Sequence, residues 1–217
     1  FGANKIAKSS EIFEDMIKDK DCTIFLGLAG ALVPAGMKQI IIDMIEKKYI
    51  NVIVTTGANL THDLIEGLGH QHYQGHHLMD DNELNKKGIN RMYDIFMENK
   101  VYQSLEEFFN KNFDKLQKAT NIREFLEILG SISPKRTILN TCYKNKIPLF
   151  CPAISDSGIG LMVWNNLIKH KKTNIDAFSD LKNILEIAFT SKKMGFVYLG
   201  GGVPKNFIQQ TMQFSKG

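Results

Sequence analysis

Four apolar runs govern what this chain can fold into: "CTIFLGL" (22–28), "NVIVTTG" (51–57), "IPLFCPAI" (147–154) and "GFVYLGG" (195–201). Segments of helical periodicity separate them, and each run ends in glycine, proline and other small residues. Continuous apolar runs are strands buried on both faces. Parallel neighbours need long crossover connections, usually helices, so the alternation specifies an α/β fold on a parallel sheet. A chain of 217 residues can bury one substantial core, so a single domain over 1–217 is expected.

Between the runs, "KSSEIFEDMIKDKD" reads as a helix with Ser9 and Ser10 as candidate N-caps. Pro34 suits a first helical position. Met37, Ile40, Ile41, Met44 and Ile45 then repeat at helical spacing and are expected to cover one face. "THDLIEGLG" predicts a short helix ending on glycine. Residues 70–130 turn polar, and the spacing predicts helices at "NELNKKGINRMYDIFMENK" and "NIREFLEIL", with another at "FSDLKNILEIAFTSKK".

Several function classes recede on composition. No apolar run is long enough for a membrane span, and Phe1 opens no signal-peptide pattern. Cys22, Cys142 and Cys151 are odd in number and lack metal-type spacing, which predicts free thiols in a reducing, cytoplasmic setting. The net charge of +4 is mild and its lysines alternate with acids, so a solvated surface is expected rather than a nucleic-acid face.

The chemistry is expected at the strand ends. In open parallel sheets, ligands bind outside the carboxyl ends of the strands. Here those ends read "GLAGALVPAG", "TTGAN", "CPAISDSGIG" and "GGGVPKN". Glycine lets backbone N–H groups approach a ligand, and a following helix N-terminus favours an anion. A nucleotide pyrophosphate fits that description, with hydroxyls from Thr55 and Thr56 and a carboxylate from Asp156 for a ribose. The spacing of "GLAGAL" is not the G-x-G-x-x-G fingerprint.

Five segments, "FLGLAGALVPAG", "VIVTTGANLTHDLI", "GINRMYDIF", "IPLFCPAISDSGIG" and "YLGGGVPKN", occur in the order found in deoxyhypusine synthase, and the resemblance runs nearly end to end. It implies a Rossmann-like, doubly wound parallel sheet flanked by helices, and a homotetramer of paired dimers. It also implies NAD as cofactor, spermidine as amine, and transfer of an aminobutyl group, through an enzyme-lysine imine, to a lysine of translation initiation factor 5A. The product is deoxyhypusine, the precursor of hypusine. By the same resemblance Gly30, Ala31, Leu32, Val33 and Pro34 line NAD after the first strand. Thr56, Gly57 and Ala58 do so after the second, with Asp156 and Gly201.

Departures from the family pattern fall on the substrate side. Ala29, Gly30 and Ala31 stand where well-studied members carry Thr-Ser-Asn, and His62 stands where they carry glutamate. Leu161 replaces an aspartate against a spermidine amine, and Asn206 replaces a histidine. His62, Leu161 and Asn206 are therefore the expected amine-side residues. The family's catalytic lysine lies in a Trp-Gly-Lys segment beyond the triple glycine, and these 217 residues do not contain it. The chain is expected to be incomplete at both ends and inactive alone. Two other readings stay open: an enzyme for another amine or acceptor, such as a homospermidine-forming one, and an inactive NAD-binding partner subunit.

Some conspicuous residues have plainer expected roles. "HQHYQGHH" gathers His70, His72, His76 and His77 without a helical metal spacing, and reads as a polar loop. Lys205 reads as a surface or phosphate-contacting charge, Trp164 as core or interface, and Cys151 as a buried small hydrophobe.

Overall fold

The computed structural model describes residues 2–169 and 171–214. In chain order α1 (Gly2–Lys18) leads into β1 (Cys22–Leu28), then a wide helical turn over Val33–Met37 and α2 (Lys38–Glu46). Next come β2 (Val52–Thr55), α3 (Gly57–Gly67) and β3 (Tyr73–Gln74), followed by α4 (Asp81–Lys86), β4 (Ile89–Met92) and β5 (Ile95–Glu98). Three helices follow: α5 (Lys100–Leu116), α6 (Ile122–Ile132) and α7 (Ile138–Asn145). Then β6 (Leu149–Phe150), α8 (Gly158–Ile168), α9 (Ser179–Thr190), β7 (Lys193–Leu199) and α10 (Gly202–Met212) complete the order.

The main sheet runs β6-β2-β1-β7 and every pair in it is parallel. The chain moves outward from β1 to β2 and β6, then returns to the other side of β1 with β7. That reversal is a doubly wound topology with its switch point beside β1. Strand alternation sorts the core into two layers. Ile24, Leu26, Leu28 and Ile53 face a large cluster with α2, α3 and α5–α8, while Phe25, Val52, Val54 and Phe150 face Ile184 of α9 and Ile208 of α10. Gly27 shows why a glycine sits mid-strand: a Cβ there would lie 2.8 Å from Cδ1 of Tyr198 on the neighbouring strand. A smaller antiparallel sheet, β3-β5-β4, stands apart from the main one.

The four expected strands are all present, although the third is only two residues long because its sequence turns at Pro152. Three local expectations fail. Ser9 and Ser10 do not cap α1, which begins well before them; their hydroxyls donate instead to the carbonyls of Lys5 and Ile6. Gly36, at φ 85°, breaks the helical run after Pro34, and in α2 beyond it Ile41, Ile42 and Ile45 are buried while Ile40 is exposed. "NELNKKGINRMYDIFMENK" is not one helix but α4 followed by the β4–β5 hairpin. Trp164, expected in the core or at an interface, is 58% exposed on α8, which removes the core half of that expectation.

Among the described residues no helix is long and apolar enough to cross a membrane. The three cysteines are free thiols. Burial pushes the Cys151 thiol up to about 12 and that of Cys142 higher still, so neither is poised as a nucleophile.

Candidate functional site

Three of the four strand ends and the loop after β6 converge on a crevice of 490 Å³. Its wall takes Ala29, Gly30 and Ala31 from the β1 end, Thr55–Ala58 from the β2 end, Ala153 and Asp156 after β6, and Gly201–Pro204 after β7. Backbone conformation explains the glycines at two of these turns. Gly30 has φ 62°, and Gly200 and Gly202 have φ 84° and 63°, values that other residues adopt only at a cost.

Helix N-termini supply the polarity. The α3 terminus at Gly57 and the α10 terminus at Gly202 open on the crevice, and α8 starts two residues after Asp156. Thr56 caps α3 by accepting from the Asn59 N–H, and Ser157 caps α8 by accepting from the Gly160 N–H. Gly201 precedes α10 without any side-chain cap. The first N–H groups of α10 therefore face the crevice as free donors for an anion.

A buried asparagine wires the first two strand ends together. Asn59, fully buried on α3, accepts from the N–H groups of Leu32 (2.6 Å) and Val33 (3.3 Å) through Oδ1. Its Nδ2 donates to the Thr55 hydroxyl at 3.2 Å. The Thr56 hydroxyl donates to the Gly30 carbonyl at 2.6 Å. Both threonine hydroxyls are thus engaged within the protein, and they hold the loops rather than reach for a ligand. Sequence reading missed Asn59, although its place in "TTGAN" was a signal: an amide in the first turn after a strand end can tie a neighbouring loop.

The crevice therefore gathers Gly30, Ala31, Thr56, Gly57, Ala58, Asp156 and Gly201. Leu32, Val33 and Pro34 are not part of its lining, and Val33 and Pro34 are buried. Asp156 is exposed at its rim. Leu161 and Asn206 are exposed on α8 and α10, outside the lining. Lys205 is half-buried in the first turn of α10.

His62 is buried on α3, not open at a mouth. Its Nδ1 lies 2.9 Å from Nε2 of His72, whose Nδ1 lies 2.8 Å from Glu66. Lys38 continues the line, 3.4 Å from Glu66 and 3.3 Å from the buried Asp63 carboxylate. Asp63 in turn accepts from the N–H groups of Ile138 and Leu139 at the start of α7. Burial, with His72 adding to it against Glu66, pushes the His62 imidazole down to about 4. Of the four clustered histidines, His72 thus belongs to a buried network, while His76 stacks on His77 and His77 on Tyr93.

A doubly wound parallel sheet with helix N-termini converging at its switch point defines an α/β protein of the Rossmann-like class. The family model for deoxyhypusine synthase matches residues 1–217, and the chain belongs to that family. Among its relatives, the "probable deoxyhypusine synthase" of Methanosarcina thermophila is 41% identical over 215 residues, covering 98% of this chain and 67% of the relative. The "deoxyhypusine synthase-like protein" of Chlorobaculum parvum is 37% identical over 220 residues, covering 96% and 62%. A crystal structure described as a deoxyhypusine synthase candidate from Entamoeba histolytica superposes with a TM-score of 0.62. It is 24% identical and matches over 84% of this chain and 58% of that one, a likeness of fold. The chain spans roughly two thirds of the length of these curated relatives.

Proposed function

We propose that these residues form the NAD-binding part, one incomplete domain, of a deoxyhypusine synthase. The whole protein would use spermidine as amine and a lysine of translation initiation factor 5A as acceptor, in the cytoplasm and as a homotetramer. The observation that carries the reading is the single crevice in which Gly30–Ala31, Thr56–Ala58, Asp156 and Gly201–Pro204 meet. Two features fit a dinucleotide there. The uncapped α10 start offers N–H donors to a pyrophosphate, and the exposed Asp156 offers a carboxylate to a ribose. NAD, when bound, supplies the hydride acceptor for oxidising the amine carbon. The chain's own task is to orient it: Asn59 and Thr56 fix the first two loops, and the glycines let the backbone approach.

The test is calorimetric titration with NAD of the protein in its full encoded length. Asp156→Ala is expected to weaken binding by about 10- to 100-fold, the loss of one charge-assisted contact. Unchanged affinity would remove Asp156 from the cofactor site. Product formation is then assayed with spermidine and the acceptor protein.

A second reading, another amine or acceptor, is favoured by Leu161. It stands 55% exposed where the family pattern has a carboxylate. Losing that partner would cost a bound ammonium about 1.5–3 kcal/mol. An amine panel with and without the acceptor separates the two, since strict dependence on the acceptor eliminates the second.

A further inference from the structure

The line Glu66–His72–His62 is directional. Burial works against charge on Glu66, but its hydrogen bond to His72 and the nearby Lys38 outweigh it and hold the carboxyl below its ordinary range. An ionised carboxylate can only accept, so His72 carries its proton on Nδ1. With its one proton on that nitrogen, His72 has a bare Nε2, which can only accept in turn. His62 must therefore carry its proton on Nδ1 and leave Nε2 bare.

That free nitrogen is the open end of the line. Nε2 of His62 has no hydrogen-bond partner among the described residues. Nor is it one of their buried unsatisfied atoms, which are Asn140 Oδ1, Asn166 Oδ1, Thr173 Oγ1 and Asp180 Oδ2. It therefore reaches solvent. His62 lies one helical turn beyond Ala58 on the same side of α3, and Ala58 lines the crevice.

We infer that His72 and Glu66 position His62 as a proton port beside the crevice. Nε2 of His62 takes a proton from an ammonium group, its Nδ1–H passes to Nε2 of His72, and the charge comes to rest as a His72 imidazolium against the Glu66 carboxylate. One proton enters and none is lost: the ammonium becomes a free amine and His62 returns to neutrality as the other tautomer. The arrangement explains how a buried imidazole can act as a base at all, since the charge does not stay on it. His72 and Glu66 act through His62 and are positioning residues. The other charged groups around them are Lys38 and Asp63 on the Glu66 side, His70, Lys135 and Arg136 in the cavity on one flank of His72, and Asp94 on the other. The identity of the proton donor as an amine rests on the transferase reading above, whereas the relay itself does not.

The test has two arms on the protein in its full encoded length. In the first, nitrogen-15 histidine spectra are followed across pH. The expected result is Nδ1–H tautomers for both histidines at neutral pH, with the first proton taken up appearing on His72 while His62 changes tautomer. Glu66→Gln is expected to lower the midpoint of that event by about one pH unit. An Nε2–H tautomer of His62 at neutral pH, or independent titration of the two rings, overturns the relay, and the wild-type spectra alone decide this if the variant does not fold. The second arm measures amine-dependent NAD reduction against pH. Glu66→Gln is expected to lower kcat about 10-fold with little change in KM, and to move the acid limb down with the spectral midpoint. A uniform fall in rate with an unmoved limb overturns the positioning role. If the wild type oxidises no amine, the transferase reading fails while the spectra still judge the relay.

Discussion

The strand ends of the main sheet and the segment from His70 to Glu98 are built by opposite means. At the strand ends, backbone conformation and hydrogen bonds to backbone set the shape: Gly30 and Gly202 take positive φ, Thr56 and Ser157 cap the helices that start there, and Asn59 secures the neighbouring loop. In the second region, contacts between side chains set it. His72 is held by two residues of α3, and Met97 packs with Ile65 of α3 and Val101. Hydrogen bonds to backbone make a rigid cradle, whereas side-chain contacts make a lobe whose hold on the domain passes through a few residues.

The largest expected effect tests the cradle. Asn59→Ala removes the acceptor of two N–H groups and leaves the Leu32 and Val33 donors unpaired at a largely buried site. A loss of about 3 kcal/mol in chemical denaturation is expected, together with weaker NAD binding. A loss below about 1 kcal/mol would mean that water takes over the loop and that the cradle is not rigid.

Paired glycine substitutions sharpen the contrast at lower cost. A Cβ on Gly160 would lie 2.4 Å from the Ser155 carbonyl oxygen, which is backbone and cannot turn aside. Gly160→Ala is expected to cost about 2 kcal/mol. A Cβ on Gly75 would meet the Phe96 ring, which is a half-buried side chain rather than backbone. Gly75→Ala is expected to cost less than about 1 kcal/mol. Equal losses in thermal or urea unfolding would erase the distinction between the two regions.

The same difference explains what could be read from sequence. The parallel strands announce themselves as continuous apolar runs because both faces are covered, Ile24 and Leu26 by one layer and Phe25 by the other. The strand-end residues follow from the turn chemistry of glycine, threonine and proline. His72 was not legible, because its role depends on α3 bringing His62 and Glu66 to it, and no local spacing encodes that meeting. Ile40 was misplaced because the spacing defines an apolar stripe but not which edge of it meets the core: Ile42 is buried and Ile40 is not.

The β4–β5 hairpin was hidden for a reason that can itself be tested. Met92 pairs with Ile95, so only Tyr93 and Asp94 make the turn, and Tyr93 sits at φ 56°. Such a two-residue turn ordinarily carries glycine or asparagine at the position of positive φ, and that residue is what advertises a hairpin in a sequence. Here a tyrosine occupies it, and the helix-compatible spacing of "INRMYDIF" prevails in a local reading. Left-handed backbone is costly for a bulky side chain, but the Tyr93 ring recovers part of that cost by stacking on His77 with centroids 5.1 Å apart. Tyr93→Gly removes the backbone cost and the stack together. A net gain of about 0.5 kcal/mol is expected, the smallest of these effects, with the unfolding midpoint rising and the β3 and β5 amides exchanging more slowly. A loss instead would show that the His77 stack outweighs the strain, and that this turn, like His72, owes its place to side-chain partners.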